Sequence, residues 1–82
     1  MTDDVDIAHR IGALVDEERR LREQLTTGQI ARVDEQARLG TIEVELDQCW
    51  DLLRQRAALR EAGADPSRAT VRPASVVEHY QG

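Results

Sequence analysis

Fourteen residues, two full heptads, separate Leu25 from Leu39, yet the stretch between them is poorly suited to a continuous coiled coil. Ile7, Ile11, Leu14, Leu21 and Leu25 follow a 4-3-7-4 spacing, with Glu18 where the missing apolar residue would stand, which predicts a helix over about 6–25. Carried onward, that phase puts Gly28, Arg32 and Glu35 on three successive seam positions. Thr26-Thr27-Gly28-Gln29 interrupts the pattern. Gly28 suits a left-handed helix end, and the two threonines are placed to cap the next helix. The expectation is an all-α chain folded back on itself as an antiparallel, coiled-coil-like helical hairpin.

Local charges agree with this reading. Asp3, Asp4 and Asp6 lie at the start of the first helix and Arg19, Arg20 and Arg22 towards its end, complementing the helix dipole. Asp16–Arg20 and Glu18–Arg22 are i,i+4 pairs in the favourable order, each stabilising by roughly 0.2–0.5 kcal/mol. A second helix is expected over about 32–62. Its apolar stripe is Leu39, Ile42, Leu46, Cys49 with Trp50, and Leu53, and it stops at Gly63 and Pro66. A thinner stripe of Val33, Ala37, Gly40 and Val44 lies away from the Leu46 face.

Residues 63–82 read differently. Asp65-Pro66-Ser67 is a turn, Val71-Arg72-Pro73 an extended strip, and Ser75 to Glu78 has capping-box spacing for a short helix over 75–80. Two such turns alone are marginal in water, so this C-terminal segment is ordered only by docking. The chain divides into a hairpin, 1–62, and this tail. A two-helix hairpin buries a single seam, and a chain this small with one cysteine has no disulfide to staple it. A homodimer is therefore expected, two hairpins packing as a four-helix bundle around Ile7, Ile11, Leu14, Leu21, Leu25, Leu39, Ile42, Leu46, Trp50 and Leu53. As a core residue, Trp50 would cost roughly 3–5 kcal/mol on replacement by alanine.

Chemistry is harder to place. Eleven arginines and no lysine against sixteen acids give a net charge of −5, which disfavours nucleic acid or an anionic membrane as partner. The N-terminus is acidic where a signal peptide would be basic, and no apolar run approaches the ~18 residues of a membrane span, so a cytoplasmic protein is expected. There is no Gly-rich phosphate loop and no Ser-His-Asp set, hence no enzyme and no cofactor is expected. His9, His79 and Cys49 lack metal-ligand spacing. Cys49 and Trp50 read first as a buried thiol and a core anchor. The alternative is a redox or ligand sensor centred on Cys49, with His79 brought near by the tail. Glu43, Asp47 and Asp51 recur at i, i+4, i+8 as an acidic strip, read as a solvated face or as a surface for an unidentified protein partner, together with Val76, Val77 and Tyr80. The tip from Thr26 to Ala31 carries no charge, unlike hairpins that insert an acidic tip into an enzyme channel.

Two stretches, Ile42-Glu43-Val44-Glu45-Leu46-Asp47-Gln48-Cys49-Trp50-Asp51-Leu52-Leu53-Arg54-Gln55-Arg56 and Val71-Arg72-Pro73-Ala74-Ser75-Val76-Val77-Glu78-His79-Tyr80, resemble the small actinobacterial proteins of domain-of-unknown-function family 2630. The resemblance spans nearly the whole chain. It implies a bacterial cytosolic setting and a tail that belongs to the design, and it carries no activity or catalytic residue. The function expected on these grounds is that of a non-enzymatic helical homodimer serving as a protein-interaction or structural and regulatory module.

Overall fold

A computed structural model describes residues 3–73 and 75 and shows two helices folded as a hairpin. Helix α1 runs Asp4–Thr26 and α2 runs Arg32–Glu61; a 3-10 turn, Pro66–Arg68, comes after them. No strand occurs among the described residues. The 75–80 segment, with Val76, Val77, His79 and Tyr80, lies outside the described residues apart from Ser75.

Each helix end has an identifiable cause. Asp3 caps α1, its carboxylate accepting from the Asp6 N–H at 2.9 Å, while Asp6 reaches back to the Asp3 N–H. Both helices close on a glycine in the left-handed region, Gly28 at φ +76° and Gly63 at φ +72°. At the first, the N–H of Gln29 donates to the Gln24 carbonyl at 2.8 Å and that of Gly28 to Leu25 at 3.2 Å; at the second, Ala64 donates to Leu59 at 2.8 Å and Gly63 to Arg60 at 3.0 Å. This is the paired closure of a Schellman motif, made twice. The threonines do not cap α2 as the sequence suggests. Their hydroxyls donate backward, Thr26 to the Arg22 carbonyl at 3.0 Å and Thr27 to Glu23 at 3.1 Å, and the N-cap of α2 is Ala31 without a side-chain bond.

The helices pack along one line. Ile7, Leu14 and Leu21, seven residues apart, face Ile42 and Cys49, also seven apart, and these five form the buried apolar core. Ile11, Leu39, Leu46 and Leu53 are half-buried beside them. Glu35, one heptad before Ile42, is also buried. The molecule measures 51 × 24 × 18 Å, a slab one helix layer thick, so each helix keeps most of its circumference outside the seam.

Trp50 departs from the expectation. It is 53% exposed and outside the core of the single chain. Neighbouring residues on a helix point ~100° apart, so Cys49 and Trp50 cannot both face α1, and the 4-3 phase from Leu39, Ile42 and Leu46 selects Cys49. The acidic strip also departs: Glu43 is exposed, whereas Asp47 is buried and Asp51 is 0% exposed. Residues at i, i+4, i+8 drift ~40° per step around the helix, which carries Asp51 to the side away from α1, where the returning chain with Arg72 covers it.

Gly12 and Gly40 sit inside helices where an added methyl meets nothing within 4 Å. Replacing either with alanine is expected to raise stability by about 0.5–1 kcal/mol. The same change at Gly28 or Gly63, where φ is positive, is expected to lower it by about 1–2 kcal/mol. Urea midpoints of the four variants test the hairpin's two closures directly.

Candidate interaction sites on the second helix

Helix α2 is seven residues longer than α1, 30 against 23, and its C-terminal half carries the functional candidates. After the Gly63 turn the chain doubles back and lies along α2. Ala69 and Val71 line a small crevice with Ile7, Leu52 and Arg56, yet Val71 remains 63% exposed, so apolar burial alone does not hold this strap.

Polar side chains do. The Gln55 amide pairs with the Thr70 backbone in both directions, donating to its carbonyl at 2.7 Å and accepting from its N–H at 3.3 Å. Gln48 donates to the Arg72 carbonyl at 3.2 Å. The Arg72 guanidinium meets both oxygens of Asp51, through Nε at 2.9 Å and through Nη2 in a shorter contact. Gln55 also donates to Asp51 Oδ2 at 2.7 Å, which fixes the carboxylate. Asp51 is a buried charge made tolerable by a bidentate partner and a further donor.

A second ion cluster ties the open end of the hairpin. Arg56, with a side chain 11% exposed, pairs through Nε with Asp4 and donates from Nη1 to the Pro66 carbonyl at 3.3 Å. Arg60 reaches the other Asp4 oxygen at 2.7 Å. The first turn of α1, the last turns of α2 and the 3-10 turn thus meet at two arginines. Hydrogen bonds from Arg60 and then Arg56 hold the Asp4 carboxyl below the usual carboxylate range. The Ser67 backbone N–H, at 2.9 Å, does the same for Asp65. Midway along the seam, Arg10 and Glu45 pair at 2.6 Å on the surface.

The remaining candidates stand apart from these two clusters. Cys49 is buried against α1, and burial, then the Glu45 charge, pushes its thiol above its ordinary value. His9 is exposed. Among the described residues no group of three or more His, Cys, Asp or Glu side chains is placed to hold a metal, and no helix is long and apolar enough to cross a membrane. On α2, Leu39, Leu46, Trp50 and Leu53 have 7-4-3 spacing as an apolar strip that the hairpin covers only in part. Sequence reasoning does not single out Gln48, Gln55 and Arg56 as site residues. Their one signal is the heptad spacing of the two glutamines around Asp51, upstream of an extended Val-Arg-Pro strip.

A two-helix hairpin with a C-terminal strap defines a class of small all-α protein, and its sequence places it more narrowly. The family described as "Protein of unknown function (DUF2630)" matches residues 3–82, and the chain belongs to that family. It is 58% identical over 81 residues to proteins of Mycobacterium bovis and Mycobacterium tuberculosis, each described as an uncharacterized protein, covering 99% of this chain and 92% of each relative. No solved structure matches.

The Asp4 cluster gives a pH dependence with a definite sign. A carboxyl held low in the folded state stabilises fully above its unfolded value, ~4, and loses that contribution as pH falls through the lowered folded value. Asp4→Asn is therefore expected to lower the urea midpoint at pH 7, and the gap between variant and wild type is expected to narrow at pH 3. A gap of the same size at both pH values would show that the carboxylate charge is not what ties the open end.

Proposed function

We propose that this protein is a non-enzymatic helical interaction module that acts as a homodimer, with the apolar strip of Leu39, Leu46, Trp50 and Leu53 on α2 as its self-association face. Exposure of Trp50, the chain's sole tryptophan, at 53% carries this reading. Trp buries 150–250 Å² when covered and is enriched among residues that dominate interface energetics. Here it stands between half-buried Leu46 and Leu53, so a second helix laid along the strip covers an apolar row interrupted only by Glu43, between Leu39 and Leu46. A second copy presents the same row, and a two-fold axis lets each strip cover the other, giving the four-helix bundle of two hairpins. The slab shape adds support, since at 18 Å thick the described residues put no second layer over that face.

Partner binding in a cytoplasmic setting is the corresponding biological role, with the dimer as the working unit. The thiol-sensor alternative has less in its favour. Reactive cysteines have a lowered pKa and an accessible sulfur, whereas Cys49 is buried and its thiol is raised.

Light scattering on a sizing column is expected to give twice the 9.2 kDa chain mass at tens of micromolar. Trp50→Ala is expected to keep the helical circular dichroism and weaken dimerisation by roughly 30-fold or more, the scale of a ~2 kcal/mol hot spot. Tryptophan emission of the wild type is expected to move to shorter wavelength with rising concentration as the indole leaves water. A wild type that stays monomeric, or a dimer indifferent to Trp50→Ala, would overturn the proposal.

A further inference from the structure

We infer that Gln48, Asp51 and Gln55 form a docking site for an extended, arginine-bearing peptide segment, occupied here by the chain's own Thr70-Val71-Arg72. The three residues stand at i, i+3, i+7 on one side of α2, away from Ile42 and Cys49, which pack on α1. All three belong to one helix, α2, whose opposite side packs on α1.

The hydrogen bonds define what the site reads. Gln55 takes both the N–H and the carbonyl of Thr70, and Gln48 takes the carbonyl of Arg72; these are main-chain groups, which any non-proline residue offers in extended conformation. Ala69, where the strap begins, has φ −63° and ψ 138°, so the chain arrives extended. Between the two read positions Val71 lines the crevice with Ile7, Leu52 and Arg56 yet stays 63% exposed, a loose apolar contact that discriminates little between side chains. Selectivity falls on the side chain at the second read position. Asp51, at 0% exposure, offers both oxygens to the two edge nitrogens of a guanidinium, a fit that a lysine ammonium does not reproduce. The ligand class is therefore an extended segment with arginine two residues beyond the one paired to Gln55.

Eight residues lie between the last residue of α2, Glu61, and Thr70, so the strap is presented at the high effective concentration of a short linker, on the order of millimolar. A peptide supplied in trans must displace it, and removal of the strap's own arginine opens the site. The test uses the full chain carrying Arg72→Ala, isotope-labelled, titrated with a synthetic peptide spanning residues 66–75 in the wild-type sequence. Saturable shifts of the Gln48 and Gln55 side-chain amides are expected, with at least tenfold weaker binding by the wild-type chain and by the Arg72→Lys peptide. Absence of saturable shifts at millimolar peptide, or equal binding of the arginine and lysine peptides, would overturn the inference. Should the Arg72→Ala chain fail to fold, excess peptide added to the wild-type chain must move the Thr70 amide towards its unpaired position; an unmoved Thr70 amide would overturn it equally.

Discussion

Ile7, Leu14 and Leu21 meet Ile42 and Cys49 along a single line, and the rest of the molecule is arranged around how little that line can bury. Two helices in contact hide one stripe each, so positions only ~100° from the seam are already at the surface. Trp50, one residue beyond Cys49, is at the surface for this reason, and the same rotation leaves Asp51 facing away from α1, where the returning chain covers it. The seam sets the angular positions of both candidate sites before any other interaction is considered.

The C-terminal strap solves a different problem. An apolar segment laid over α2 would bury more hydrocarbon, but it would also dock at many registers. Gln55 and Gln48 hold the strap by its backbone, and the Asp51–Arg72 pair fixes which residue lies opposite which. The pair is only partly sheltered, with the Arg72 side chain 40% exposed, so its main effect is on register: a one-residue slip forfeits the bidentate contact that Asp51 makes with the guanidinium. Arg56 connects this arrangement to α1 through Asp4 and to the 3-10 turn through the Pro66 carbonyl, so strap and hairpin share one fastening.

Much of the fold is legible in the sequence because its causes are local. The 4-3 spacing of Ile7, Ile11 and Leu14, and the glycines at 28 and 63, depend only on nearby residues, and they specify two helices and where each stops. The same spacing also selects Cys49 over Trp50: counting from Leu39 through Ile42 and Leu46 lands on 49 and 53. Size and hydrophobicity are what suggest Trp50 for the seam, and they say that it is worth burying and nothing about which way it points. The polar site is hidden for another reason. Asp51 and Arg72 are 21 residues apart and Arg56 and Asp4 are 52 apart, so each charge looks solvated until the chain's return path is known.

Adjacent placement of the two faces on α2 constrains how they can be used together. Trp50 and Asp51 are neighbours in sequence, about 100° apart around the helix, so an interface formed on the apolar strip leaves the strap's face of the same helical turns uncovered. Self-association needs apolar area and tolerates loose register; the strap site needs little area and strict register. A single 30-residue helix therefore presents two contact chemistries on separate sides, with α1 occupying the third. A segment bearing arginine on the strap's side and a second copy on the apolar strip, the two contacts proposed for this helix, would therefore not compete for the same surface.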